Sequence, residues 1–412
     1  MVGRLSSQAI MNTRLDGLAS HGWWAYTPAH HDQKTLAIPP LLDSRTIVTQ
    51  DMVGKVMTVR GPIAPDELGF TLMHEHLFID LRRFHLPHPL DVTVPGRSQP
   101  VATTEDFPAT ELAMWEAPLT TENLRLAQEG GAVSDQWVLA DESLAVEETL
   151  GFKNRGGGTI VDVTSIGLKR DPEALRRVSV ATGLHIVMGA GWYQKVFHPD
   201  DMDRRTVEDL TQEIIGDVTS GVGETGVRSG IIGEVGVNGD PITPNEEKSI
   251  RASARASVIT GAAITFHEAG VGAEKHDVLD MVEQEGGDLS RVVISHCNSI
   301  ATDVPFMIEL LERGVYVEFE LLGQAEALGV SVTKQAAEAV PRLIDTGYRD
   351  RVMLAQDVCV KTHLKHYGGP GFSYLQETFI PHLKTLGLTP DDIERIFVEN
   401  PRRVLTFVDG TG

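Results

Sequence analysis

The sequence predicts an α/β fold, specifically a (β/α)8 TIM barrel. Three observations lead there: eight short apolar runs, helical text between them, and ligand-type side chains recurring at the C-terminal ends of the runs. The runs are residues 70–76, 159–164, 185–193, 230–237, 263–267, 291–296, 315–320 and 351–357. Each is nearly continuous in apolar or β-branched residues, the pattern of a parallel strand buried on both faces. Helices are predicted at 141–154, 171–182, 204–219, 245–260, 275–285, 304–313 and 334–346. Asp171 ahead of Pro172 is a helix start signal, and Gly183 after Thr182 is a stop signal. Strands alternating with helices in this way specify a parallel sheet, and eight units suit a closed barrel. An open doubly wound sheet competes, but no GxGxxG phosphate loop follows the first run.

Residues 1–54 show no sustained period and read as a poorly ordered N-terminal extension, in which His30 and His31 are exposed side chains rather than ligands. The barrel domain is expected over 55–407. Within it, residues 81–140 form a long insertion rich in Pro and acidic residues, carrying Trp115 and Trp137, that is expected to fold over the barrel mouth. The connection 358–372 also exceeds the usual length of roughly two to six residues. It contains Lys361, His363, Lys365 and His366 and no carboxylate. Residues 390–407 read as short closing helices.

With 412 residues, 41% of them hydrophobic, the chain has ample core for one large barrel with additions. A formal net charge of −22 argues against nucleic acid or an anionic membrane as the main partner and leaves a small-molecule substrate as the expectation. No run approaches the roughly 18 apolar residues of a membrane helix, and no signal-peptide stretch is present, so a cytoplasmic protein is expected. Cys297 and Cys359 are too few for a disulfide framework and read as core thiols, although each lies within two residues of a candidate ligand.

The first run ends in His74-Glu75-His76. Side chains at i and i+2 of a strand point the same way, so the two imidazoles converge while Glu75 faces away. Two neutral imidazoles on one rigid strand make half of a metal site. In barrels of this type the reactive groups come from the C-terminal ends of strands. Strand four carries Glu234 there, strand five ends in His267, strand six in His296 and strand eight in Asp357. Four histidines and two carboxylates are too many donors for one tetrahedral zinc and suit two divalent ions sharing a carboxylate at the barrel's C-terminal face. The expected division puts His74, His76 and Asp357 on one ion, His267 and His296 on the other, and Glu234 between them. A hydroxide bridging the ions would attack a carbonyl or phosphoryl centre, and Asp357 would accept its proton. A purely structural zinc site fits poorly, because closed sites favour Cys.

These residues also carry a resemblance. Thr58-Val59-Arg60-Gly61-Pro62-Ile63, Gly69-Phe70-Thr71-Leu72-Met73-His74-Glu75-His76 and Gly230-Ile231-Ile232-Gly233-Glu234-Val235-Gly236 resemble the phosphotriesterase family of the amidohydrolase superfamily. Thr265-Phe266-His267, Ser295-His296 and Gln356-Asp357 extend the likeness, which runs from about 56 to 407. The resemblance implies a binuclear metal hydrolase and a homodimer. Its ions are commonly zinc, and the same donors accept manganese, iron or cobalt. One departure stands out: Glu234 occupies the place where many family members use a carboxylated lysine, as in the phosphotriesterase-related branch, also called phosphotriesterase homology proteins. Assembly independent of bicarbonate and weak paraoxon hydrolysis are the corresponding expectations. The implied activity is phosphotriester or ester hydrolysis, with a lactonase or N-acyl amide hydrolase as the alternative. A barrel that binds without turnover is the third reading, against which stand Asp357 and all six ligand positions. Tyr193, in Gly191-Trp192-Tyr193, matches a position from which family lactonases contact the substrate oxygen. Lys361, His363 and Lys365, with His366, are expected to form an anion funnel for a substrate bearing a carboxylate, phosphate or sulfonate.

Overall fold

The computed structural model describes residues 51–84, 109–129, 133–238, 241–268, 272–324 and 331–410. Residues 1–50, which hold most of the expected N-terminal extension with His30 and His31, lie outside the described residues, as do 85–108 of the insertion. The described chain begins by joining its own end. Met52 is buried, Gly54 N–H donates to Phe407 O, and Phe407 N–H donates to Lys55 O, both at 2.9 Å.

The strands follow in order: β1 (Val56–Thr58), β2 (Gly61–Ile63), β3 (Phe70–Glu75), β4 (Ile79–Asp80), β5 (Val138–Leu139), β6 (Gly157–Asp162), β7 (His185–Met188), β8 (Ile232–Val237), β9 (Ile264–Glu268), β10 (Val292–Ile294), β11 (Tyr316–Phe319) and β12 (Val352–Leu354). β1 pairs antiparallel with β2, and β4 with β5. The others form two parallel sheets, β3-β6-β7 and β8-β9-β10-β11-β12. Backbone hydrogen bonds also cross both seams. Gly230 N–H reaches Met188 O and Glu234 N–H reaches Val163 O, both at 2.9 Å. On the other side His76 N–H meets Val358 O (3.2 Å) and Asp357 N–H meets His74 O (3.1 Å).

Each predicted run overlaps one parallel strand, but several ladders stop short of the residues that matter. β10 ends at Ile294 and β12 at Leu354, before His296 and Asp357. Both of these residues have left-handed backbone, with φ of 56° and 51°, which no extended ladder accommodates. An apolar run reports burial, and burial continues after the chain has left the strand.

Helices Glu142–Lys153, Pro172–Thr182, Val207–Thr219, Pro244–Thr260, Glu274–Gln284, Val304–Glu312 and Val332–Asp345 separate the strands. Their starts are read from side chains: Asp141 and Asp171 accept from Leu144 and Ala174 N–H, and Thr206 and Thr243 form capping boxes. Losing such a cap costs about 1 kcal/mol. Gly183 ends the second helix with φ 71°, a conformation glycine adopts without penalty. Among the described residues no helix is long and apolar enough to cross a membrane.

Because residues two apart on a strand share a face, the strands carry rows. Ala263, Thr265 and His267 form one, Tyr316, Glu318 and Glu320 another, and Met353, Ala355 and Asp357 a third. The lower ends belong to one buried apolar cluster that includes Val161, Val187, Ile231, Ala263, Val293 and Met353. Above it, Thr265 and Ser295 hydroxyls meet at 2.9 Å, and Ser295 donates to Glu318 at 3.2 Å. The upper ends carry the candidate ligands.

The described part of the insertion comprises helices Ala109–Glu116 and Leu124–Gln128 and the turn Ser134–Trp137. It docks on the loop after β12. Gln136 is hydrogen-bonded to the Thr362 side chain and accepts from Thr362 N–H (3.0 Å), while Asp135 pairs with Lys361 at 2.6 Å.

Candidate metal centre

Glu234, on β8, is the hub. Its Oε1 lies 3.4 Å from His76 Nε2, and its Oε2 lies 3.3 Å from His74 Nε2, 2.8 Å from His267 Nδ1 and 3.9 Å from His296 Nε2. Asp357 Oδ1 is 3.3 Å from His76 Nε2. The six residues singled out in the sequence therefore converge, from five strands or their ends. His74, His76, Glu234 and Asp357 are buried, whereas the His267 and His296 side chains keep 14% and 12% exposure. Three overlapping sets among the described residues have ligand atoms within 4.8 Å of one another: His74, His76 and Asp357; His74, Glu234 and His296; and His74, Glu318 and Glu320.

The donor chemistry fits divalent ions. His74 Nε2 and His296 Nε2 are buried without a hydrogen-bond partner. Leaving such a nitrogen unsatisfied costs about 1–3 kcal/mol, and coordination would remove that cost. Without an ion, protons take the role. Burial opposes charging His74, yet Glu234, Glu320 and Asp357 hold its pKa well above the ordinary value. Burial raises Glu234, but His267 and His74 outweigh it and keep this carboxyl well below its usual range. Asp357 behaves alike: burial is overcome by His76 and His74. His296, desolvated and beside His267, drops to about 4.

The far sides of the imidazoles are held as well. Thr164 Oγ1 meets His76 Nδ1 at 2.8 Å, and Ser295 Oγ meets His74 Nδ1 at 3.3 Å. Asp162 accepts from Leu77 N–H (2.7 Å) and Thr164 N–H (3.1 Å), fixing the chain on either side of that contact. Fixing one ring nitrogen aims the other.

Buried Asp162, Glu318 and Glu320 escaped sequence reasoning. Glu318 and Glu320 lie 3.9 and 3.8 Å from His74 Nδ1. Burial pushes Glu318 up to about 7, and burial together with the Glu318 charge pushes Glu320 well above its ordinary value. The signal that could have found them is the one that singled out His74 and His76, polar residues at i and i+2 in an apolar run. Glu75 faces away from Glu234 as expected, but it accepts Gln356 N–H at 2.8 Å and Val358 N–H at 2.9 Å. Burial, opposed by these two bonds, raises it to about 8.

Tyr193 joins the site: it is buried, its hydroxyl lies 3.1 Å from His267 Nε2, and its ring meets His267 edge-on at 4.6 Å. The cationic loop is partly neutralised by its surroundings. Lys361 pairs with Asp135 at 2.6 Å and Lys365 with Glu377 at 2.7 Å, while Glu148 accepts Lys365 N–H (3.0 Å) and His366 N–H (2.7 Å). His363 Nδ1 accepts Cys359 N–H at 3.4 Å, and burial lowers His363 to about 4. Lys361 also lines, with His76, Leu77, Leu144 and Phe372, an open pocket enclosing about 310 Å³. Cys297 is buried, its thiol 3.2 Å from Ile294 O.

Known proteins resemble this chain over most of its length. An N-acetyltaurine hydrolase from Danio rerio is 32% identical over 367 residues, covering 87% of this chain and 99% of that protein. Among solved structures, a resiniferatoxin-binding protein from Rhodobacter sphaeroides matches with a TM-score of 0.76 and 37% identity, over 85% of this chain and 95% of that one. A lactonase from Listeria monocytogenes matches with a TM-score of 0.66 and 25% identity, over 86% and 99%. The family model of the Phosphotriesterase family matches residues 54–405. The chain belongs to the phosphotriesterase family of hydrolases.

Proposed function

We propose that the protein is a binuclear metal-dependent hydrolase of carbonyl substrates, acting on an N-acyl amide or a lactone, in a closed (β/α)8 barrel. The observation that carries this reading is the Glu234 carboxylate, which turns one oxygen to His76 and the other to His74, His267 and His296. A carboxylate so placed suits the position between two ions. The hydrogen bonds across both sheet seams support closure of the eight strands. An amide hydrolase and a lactonase among the relatives favour carbonyl chemistry over the phosphotriester reading.

His74, His76 and Asp357 would hold one ion, His267 and His296 the other, with Glu234 shared. Zinc is the family-based expectation for both. When bound, the ions supply Lewis acidity, polarising the scissile carbonyl and acidifying a water. The chain's own residues do the rest. Asp357, kept ionised at neutral pH by His76 and His74, accepts the proton of the attacking water at a carboxylate oxygen. It returns that proton to the departing amine or alkoxide, which leaves as a neutral group. Tyr193, whose hydroxyl is beside His267, orients the carbonyl oxygen by donating to it. Lys361, on the pocket beside His76, meets an anionic group remote from the scissile bond, with His363 and Lys365 shaping the loop that presents it.

The test is a rate panel of paraoxon, γ-lactones, N-acyl amino acids and N-acyl aminosulfonates on protein purified without chelator, with metal content measured in parallel. The highest kcat/KM on an amide or lactone and two ions per chain are expected. Fewer than one ion per chain, with no activity restored by zinc or manganese, would overturn the reading in favour of a ligand-binding barrel. Light scattering of the same preparation tests the homodimer.

A further inference from the structure

Four described residues other than glycine have left-handed backbone, and two of them, His296 and Asp357, are candidate ligands. L-residues avoid this region unless their surroundings impose it. Each of the two is gripped by a buried glutamate from a neighbouring strand. At Asp357, three successive peptide N–H groups converge on the His74-Glu75 dipeptide. Gln356 N–H donates to Glu75 Oε1 (2.8 Å), Val358 N–H to Glu75 Oε2 (2.9 Å), and Asp357 N–H to His74 O (3.1 Å). A left-handed residue flanked in this way turns its neighbours' N–H groups to one side, a concavity suited to an anion. At His296 a single peptide N–H is held by a buried glutamate. His296 N–H donates to Glu320 Oε2 at 2.8 Å, and Glu320 is held in place by Asn298, which accepts Glu320 N–H (2.8 Å) and donates to Glu320 O (2.7 Å).

We propose that Glu75 and Glu320 are positioning residues that impose the left-handed backbone at Asp357 and His296, and so aim one ligand into each half of the metal centre. The inference rests on the reading of Asp357 and His296 as ligands. It makes the residue inside the His-x-His motif as necessary as its neighbours: the imidazoles serve the front of strand one, and Glu75 fixes strand eight behind it. Ionised Glu75 is suited to the task because each of its oxygens accepts a peptide N–H, Oε1 from Gln356 and Oε2 from Val358. In glutamine one of them is replaced by an NH2 group that would oppose a peptide N–H.

The experiment compares Glu75→Gln and Glu320→Ala with the wild-type protein and with Val293→Ala, which removes apolar volume at the floor of the strands. Three readouts are taken: hydrogen exchange of metal-free protein, ions bound per chain at fixed free zinc, and the visible spectrum of cobalt-loaded protein. Glu75→Gln is expected to speed exchange about tenfold in peptides covering 356–358 and to weaken one of the two ions by about 10–100-fold. The cobalt spectrum should change, and kcat should fall more than KM changes. Glu320→Ala, which leaves His296 N–H without its acceptor, should do the same at 296 and for the other ion. Val293→Ala should lower the melting temperature and leave the cobalt spectrum as in wild type. Exchange, stoichiometry and spectrum unchanged in both glutamate variants, or altered no more than in Val293→Ala, would overturn the proposal. If Glu75→Gln fails to fold, Glu320→Ala decides by the same criteria. If wild-type protein binds no metal, the hydrolase reading fails, while exchange at 356–358 still decides whether Glu75 sets that backbone.

Discussion

The floor and the rim of the same strands are opposites. At the floor Val161, Val187, Ile231, Ala263, Val293 and Met353 are wholly buried and apolar, so each gains from leaving water, at about 25 cal/mol per Å². At the rim the same burial falls on Glu75, Glu234, Glu318, Glu320 and Asp357, where desolvating a charge costs several kcal/mol, only partly returned by pairing. The step from Met353 to Asp357 takes four residues of one chain. The difference teaches that stability and chemistry are layered along each strand, and that the rim persists because the floor and the helix-covered outer core offset its cost.

The sharpest way to break this comparison is at Asp357. Asp357→Asn is expected to lower kcat/KM roughly a thousandfold, the scale of general-base catalysis, while the metal-free protein melts no lower than wild type. A melting point that drops as far as in a floor variant would erase the distinction. Next is Glu234→Ala, expected to leave about one ion of two and to cost at least about 100-fold in rate; metal analysis beside kinetics reads both. The floor should answer the other way. Met353→Ala should cost about 2–5 kcal/mol in denaturant unfolding and leave kcat/KM of the metal-loaded enzyme within about threefold. Lys361→Ala sharpens the boundary of the rim. Its KM for anionic substrates should rise about fivefold and that for neutral analogues less than about twofold, and equal losses would end the anion reading.

The smallest effect belongs to neither layer. Burial raises Asp80, but Arg82 and Lys169 outweigh it and hold this carboxyl well below its ordinary value. A folded pKa below the unfolded one means that the contribution to stability is whole above about pH 4 and is lost as the pH falls further. In Asp80→Asn the melting temperature should therefore decline less steeply than in wild type as the pH falls below about 4, with activity at pH 7 unchanged.

Much of the fold was legible because periodicity and punctuation act locally. The eight runs overlap the parallel strands, and Asp171 with Gly183 marks its helix at both ends. The convergence of His74, His76, Glu234, His267, His296 and Asp357 was legible for a related reason: strand ends in a parallel sheet meet. Less legible was whatever depends on which distant segment packs alongside. The loop 358–372 has no carboxylate of its own, yet Asp135, Glu148 and Glu377 reach it through packing. Glu75 pointed away from the imidazoles as the strand period requires, but nothing in its own segment announces that strand eight waits behind it. Glu318 and Glu320 were visible as acids in an apolar run and lacked only a neighbour to give them a role.

The contact between Glu75 and the amides of Gln356 and Val358 joins residues 281 and 283 positions apart. During synthesis all four histidines leave the ribosome well before Asp357, so an unfinished chain carries imidazoles with neither the last carboxylate nor the grip that orients it. Contacts of such long range form late, after the closure entropy of nearly the whole domain has been met. Truncation within the final strand should thus yield a histidine-rich but incompetent product. The candidate centre is in effect a certificate that β3 has found the segment after β12.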